Sequence, residues 1–216
     1  MKAIVVAGGD AVPEDAAQLF GADLLIAADS GARWLDASGA VPDLVIGDLD
    51  SVDPALLDRL ASAGATIERH PVEKDESDLE LAVAHAIAAG ADDVVLLGAL
   101  GGRRLDHELA NLLLLADRDW VGTHLRIVRG GTTVRAVNGG ETVDLSGVEG
   151  DLVTLLPVDG DALGVETRGL RFPLVGEPLQ RGRSRGLSNQ VEHPPASVSL
   201  ERGTLLVIET RKEPGT

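Results

Sequence analysis

The chain has 216 residues, enough for one large domain or two small ones, and its 44% hydrophobic content can fill a core, which excludes global disorder. A formal charge of −16 argues against nucleic-acid binding, yet leaves room for a small phosphorylated ligand if a divalent cation reverses the local sign. No cysteine occurs, which rules out disulfides and thiolate catalysis, and no apolar stretch reaches the roughly 20 residues of a membrane span.

The first 130 residues alternate short apolar runs with helical patterns. "MKAIVVAGGD" runs straight into a strand pattern and is too short and too soon acidic for a secretory signal, so a cytoplasmic protein is expected. Strands are predicted at 3–8, 23–28, 43–47, 93–99 and 125–130, all rich in Val, Ile and Leu without polar alternation, as suits strands covered on both faces. The mixed polarity of "ATIERH" (65–70) suits an edge strand. A helix over 53–63 opens on Asp53 and Pro54 and stops at Gly64. A second, over 77–89, has Ser77 and Glu80 at capping-box spacing and carries Leu79, Val83, Ala86 and Ile87 on one face. A third, over 105–116, carries Leu105, Leu109, Leu112, Leu113 and Ala116. This alternation predicts a doubly wound, mostly parallel α/β sheet in residues 1–130. From 131 to 216 the pattern becomes short strands ("TTVRAV", "ETVDL", "DLVTLLP", "GVETRG", "ASVSL", "TLLVIET") between Gly, Pro and Asp turns, which predicts an antiparallel β-sandwich. The closing "RKEPGT" reads as a frayed tail.

In an open parallel sheet, ligands bind beyond the carboxyl ends of the strands. Asp10 follows the first strand, Asp29 and Ser30 the second, and "IGDLDS" brings Asp48 and Asp50 to the end of the third. These carboxylates repel one another unless a cation or a proton intervenes, and Mg²⁺ prefers such oxygen ligands. The same aspartates could instead cap the helices that follow. If "GDLDS" stays extended, Asp48 and Asp50 point to one side, roughly 7 Å apart. In "KDESD" (74–78), Lys74 can meet a phosphate, and Asp75 and Asp78 add carboxylates, or the run is an ordinary acidic helix start. "GALGGRRLDHELAN" (98–111) puts Gly101 and Gly102 after a strand and before a helix, where backbone N–H groups can approach an anion. Arg103 and Arg104 can grip phosphate in a fork, with Asp106 and His107 at the helix start; a glycine loop bearing surface arginines is the alternative. The loop is neither a dinucleotide fingerprint nor a P-loop, and the five histidines show no zinc spacing.

The order of these motifs is more specific than any one of them. "ADSGA" (28–32), "GDLDS" (47–51), "KDESD" (74–78), "GGRRLDH" (101–107), "GLRFPL" (169–174) and "SRGLSNQ" (184–190) together resemble the thiamine pyrophosphokinase family over essentially the whole chain. The resemblance implies transfer of a diphosphate from ATP to the hydroxyl of thiamine, giving thiamine diphosphate and AMP, with Mg²⁺ as cofactor. It implies metal and catalytic roles for Asp48, Asp50 and Asp78, a catalytic role for Asp106, and ATP contacts from Asp29, Ser30, Lys74, Gly101, Gly102, Arg103, Arg104 and His107. It also implies a homodimer whose thiamine site is shared between subunits, with Ser184, Ser188 and Asn189 on the sandwich side, and no nucleic-acid or membrane partner. The family loop reads G-G-R-x-D-H, one residue shorter than "GGRRLDH", and the R-x-D-H spacing favours Arg104 as the phosphate arginine. Asp78 and Asp106 are both candidates to accept the hydroxyl proton. Three other readings compete: a related pyrophosphokinase acting on another primary alcohol such as a hydroxymethylpterin, a non-catalytic sensor of nucleotide or thiamine diphosphate, and a D-x-D glycosyltransferase.

Overall fold

The computed structural model describes residues 1–212. The chain divides into two compact units, one of Met1–Leu114 with Trp120–Gly130, the other of Leu115–Asp119 with the chain from Gly131 onward.

In the first unit the order is β1 (Lys2–Val6), a 3-10 turn (Pro13–Leu19), β2 (Leu24–Ala28), α1 (Gly31–Ala37), β3 (Leu44–Gly47), α2 (Pro54–Ser62), β4 (Thr66–Arg69), α3 (Asp78–Ala88), β5 (Asp93–Leu97), α4 (Leu105–Leu114) and β6 (His124–Arg129). All six strands are parallel, in the spatial order β6-β5-β1-β2-β3-β4, with the polar strand β4 at the edge. The central strands are buried along nearly their whole length. Ile4, Val6, Val45, Val95 and Leu97 pack with Leu35 of α1 and Leu56, Leu57 and Leu60 of α2. Two helix starts follow their local chemistry. Asp53 caps α2 by accepting from Ala55 N–H at 2.9 Å, and Ser77 caps α3 by accepting from Glu80 N–H at 3.1 Å.

Two features of this unit depart from the sequence expectation. The short helix α1, absent from the sequence expectation, opens on a glycine behind Ser30, whose side chain makes no capping bond. Helix α4 forms where expected but buries none of its residues; Leu105, Leu109 and Leu113 are 67%, 52% and 56% exposed. Helical spacing records that leucines share a face and says nothing of what covers it.

The second unit contains β7 (Thr132–Asn138), β8 (Thr142–Leu145), β9 (Leu152–Pro157), β10 (Ala162–Arg168), β11 (Glu177–Leu179), β12 (Asn189–Gln190), β13 (Ala196–Ser199) and β14 (Thr204–Thr210). They form two antiparallel layers, β12-β9-β14-β7 and β11-β10-β13-β8. Val137, Val153, Leu155, Leu205 and Val207 from one layer meet Leu145, Val165, Leu179 and Val198 from the other, which makes the unit a sandwich. Glu209 is buried but satisfied: it accepts from Ser146 N–H (2.6 Å) and Ser146 Oγ (3.1 Å) and lies 3.3 Å from the Arg135 guanidinium. The start of the closing segment is tied down, since Arg211 N–H donates to Gly131 O and Lys212 N–H donates to an Asp151 oxygen, each at 2.9 Å. The remainder of the segment read as a frayed tail lies outside the described residues.

Candidate active site

The strand order reverses between β1 and β5, which opens a crevice beyond their carboxyl ends. The two chains leaving these strands run against each other. Gly9 N–H donates to Gly98 O at 2.7 Å, and Asp10 N–H donates to Leu100 O at 2.9 Å. A Cβ at Gly9 would lie 2.5 Å from Gly98 O, so this approach requires glycine. The resulting cleft has a volume of about 490 Å³. Its walls include Gly8, Gly9, Asp29, Ser30, Ser51, Lys74, Asp78, Gly101, Gly102, Arg103, Arg104 and His107.

One wall is acidic. Asp29, Asp48 and Asp78 each offer a carboxylate oxygen, and these lie within 4.8 Å of one another. Gly47 makes room for them, because a Cβ there would meet Asp78 Cγ at 3.0 Å and Asp29 Cβ at 3.3 Å. Asp29 sits at φ +46°, a left-handed conformation that aspartate tolerates better than most residues. Its N–H donates to Ile46 O at 2.9 Å, which joins the ends of β2 and β3. The Ser51 hydroxyl donates to Asp29 Oδ2 at 2.5 Å, whereas Asp29 Oδ1 is buried without a hydrogen-bond partner. Asp78 Oδ1 is 2.8 Å from Lys74 Nζ, but at an angle that makes no hydrogen bond, so this contact is one of charge. An all-oxygen set with an orphaned buried carboxylate oxygen fits a hard divalent cation such as Mg²⁺.

Asp50 stands differently from the sequence expectation. The segment does not stay extended beyond β3. Leu49 turns into the core at φ +60°, and Asp50 N–H folds back to donate to Asp48 Oδ1 at 3.1 Å. Burial of Leu49 thus breaks the alternation that would have paired Asp48 with Asp50, and Asp29 takes the third position of the trio. Asp50 stays close enough to feel the others. The Asp48 charge, then burial and the Asp29 charge, push its carboxyl above the usual range.

The cleft also carries basic groups. Lys74 Nζ lies between Asp78 and Pro71 O, to which it donates at 3.2 Å. Arg103 and Arg104 rim the cleft beside Gly101 and Gly102, whose φ values of +76° and +87° are glycine conformations. Arg104 is bound two-fold to Asp106, with Nε donating to Oδ1 at 2.9 Å and Nη2 to Oδ2 at 2.6 Å. That bond, chiefly, holds the Asp106 carboxyl well below the usual carboxylate range and raises Arg104.

In the second unit, Ser184 and Ser188 are exposed on a turn in which Leu187 N–H donates to Ser184 O at 3.0 Å. Asn189 is buried and occupied. Its Oδ1 accepts from Phe172 N–H at 3.0 Å, and its Nδ2 donates to Phe172 O at 2.7 Å. Phe172 is 62% exposed, and beside it a pocket of about 160 Å³ is lined by Leu155, Leu174, Arg185 and Asn189, among others. Sequence reasoning missed Ser51 and Phe172 as site residues, although both stand inside quoted motifs, "GDLDS" and "GLRFPL".

Comparison with known proteins places the chain in a family. A family profile described as "Thiamin pyrophosphokinase, catalytic domain" matches residues 17–128, and one described as "Thiamin pyrophosphokinase, vitamin B1 binding domain" matches residues 141–205. Thiamine pyrophosphokinase of Bacillus subtilis is 27% identical over 214 residues, covering 97% of this chain and 99% of that protein. The crystal structure of a thiamine pyrophosphokinase from Bacillus subtilis superposes with a TM-score of 0.88 at 24% identity, covering 99% of this chain and all of that one. That of a thiamin pyrophosphokinase from Geobacillus thermodenitrificans gives 0.84 at 26% identity, covering 99% of both chains. With one family profile spanning more than half of its length and the companion profile following it, the chain belongs to the thiamin pyrophosphokinase family.

Proposed function

We propose that this chain is a Mg²⁺-dependent thiamine pyrophosphokinase that moves a diphosphate group from ATP to the hydroxyl of thiamine, releasing AMP. The observation that carries the reading is the convergence of Asp29, Asp48 and Asp78 on one side of a glycine-walled cleft rimmed by Arg103 and Arg104. Mg²⁺ held by the three aspartates would neutralise phosphate charge and polarise the phosphoryl oxygens. The chain's own residues do the rest. Gly101 and Gly102 leave their backbone N–H groups open to the phosphates, and Lys74 and the two arginines complement the charge. Glycine contacts at 8 and 9 let the nucleotide approach the backbone closely, and Ser30 lies beside them. The hydroxyl of thiamine must be held in line with the β-phosphorus, so positioning supplies much of the acceleration. Asp106 is a poor candidate base, because Arg104 holds it ionised and its basicity is low, so this reading gives the role to Asp78.

For the thiamine side we assign contacts to Ser184, Ser188 and the Phe172 ring, with Asn189 acting through the Phe172 backbone it holds. The match of residues 141–205 to a vitamin B1 binding domain favours thiamine over a hydroxymethylpterin. The test is AMP release from ATP and Mg²⁺ with either alcohol offered. Thiamine should give AMP and thiamine diphosphate in equal amounts; no AMP with thiamine would sink the reading.

A cytoplasmic homodimer with a shared thiamine site completes the proposal. Among the described residues no helix is long and apolar enough to cross a membrane. The uncovered leucines of α4 support a second copy as their cover, since a Leu face of three turns is costly to leave in water. A Leu109→Glu variant should halve the solution mass measured by light scattering and lower turnover per chain. An unchanged mass would remove α4 from the interface.

A further inference from the structure

Ser51 does not belong to the acidic trio, yet it stands behind one of its members. Its hydroxyl donates to Asp29 Oδ2 at 2.5 Å, and the other oxygen of that carboxylate, Oδ1, is buried with no partner. Among the described residues Asp29 is otherwise held through its backbone, by the N–H bond to Ile46 O and by accepting from Ala32 N–H at 3.2 Å. Without an anchor on Oδ2, its carboxylate could rotate about the Cβ–Cγ bond, and either oxygen or neither would face Asp48 and Asp78. No other side-chain donor to Asp29 occurs among the described residues. Resting on the metal reading above, we infer that Ser51 is a positioning residue. It engages Asp29 Oδ2, fixes the plane of the carboxylate and so reserves Oδ1 for the cation.

The sequence offers a reason for its position. Ser51 closes "GDLDS", and the left-handed turn at Leu49 carries the chain back so that residue 51 faces the end of β2. Ser51 also lines the cleft, so its hydroxyl sits where the carboxylates meet the open space. Groups of this kind, which orient a ligating carboxylate, typically change metal affinity 10–100-fold when removed.

The test uses the whole chain without nucleotide and Mn²⁺ as a paramagnetic stand-in for Mg²⁺, with binding read from loss of the free Mn²⁺ resonance. Threonine and valine at position 51 have nearly the same shape and differ by the hydroxyl. Ser51→Thr should bind Mn²⁺ within about threefold of the parent, and Ser51→Val and Ser51→Ala should each bind at least about tenfold more weakly. A merely structural role would lower all three alike or none of them. The control is Asp48→Asn, which should lose binding. If Asp48→Asn loses Mn²⁺ while Ser51→Val and Ser51→Ala keep it, the role of Ser51 is overturned and the metal reading stands. If Asp48→Asn keeps parental affinity, the metal reading falls and this inference with it.

Discussion

Asp48→Asn is expected to lower turnover at saturating ATP and thiamine by about 10²–10³-fold, the usual range for removal of one preorganised electrostatic group, while leaving the fold intact. The substitution keeps an oxygen where Asp48 Oδ1 accepts from Asp50 N–H at 3.1 Å, so the turn after β3 keeps its hydrogen bond. What it removes is one negative charge from a trio whose oxygens lie within 4.8 Å. In the metal-free protein that removal is favourable. The Asp48 charge is the largest cause of the raised Asp50 carboxyl, and a carboxyl raised on folding contributes stability at low pH that is lost as pH rises through its folded value. Asp48→Asn should therefore melt at the same or a higher temperature than the parent in chelator at pH 7, with the advantage gone near pH 3. Loss of turnover with retained or improved stability is the signature of a functional carboxylate. Near-parental turnover would remove Asp48 from the metal site.

The fold was legible wherever one residue type implies one geometry. Runs of Val, Ile and Leu marked the buried strands, and Asp53–Pro54 and Ser77 marked two helix starts. The short helix α1 was not legible, because its seven residues carry neither a cap nor an apolar stripe long enough to show a period. The strands β11 and β12, of three and two residues, are set by their partners rather than by their own pattern. The candidate site followed the same division. Strand ends brought Asp29, Ser30 and Asp48 to one edge, as the sheet rule requires. The local path of "GDLDS" was lost because it depends on Leu49 entering a core assembled from distant strands and helices. Asn189 shows the same limit: the resemblance implies a ligand contact there, and only the fold reveals that its amide is engaged by the Phe172 backbone.

The cleft also depends on a residue with no functional group. Gly31→Ala should destabilise the first unit by about 3 kcal/mol, near the upper end for overpacking, and lower its melting temperature by roughly 6–12 °C for a chain of this size. Gly31 opens α1 directly behind the end of β1. An added Cβ would lie 1.9 Å from Val6 O, 2.6 Å from Val6 C and 3.2 Å from Ala7 N. All three are backbone atoms at or just past the buried end of β1, so no side chain can yield; α1 itself must move by more than an ångström. Asp29 and Ser30 immediately precede it, so the displacement passes to Asp29 and its bond to Ser51. Gly8→Ala provides the contrast. Its Cβ would meet Ser30 Oγ at 1.9 Å, and a hydroxyl can rotate away, so the fold should hold better while Ser30 is turned from the cleft. The two variants are compared by thermal melting and by the KM for ATP. Gly31→Ala should lose stability and turnover together, and Gly8→Ala should chiefly raise KM. A Gly31→Ala protein that melts within two or three degrees of the parent, about what 1 kcal/mol produces, would show that α1 is free to shift and that its close packing on β1 does not hold the acidic wall in position.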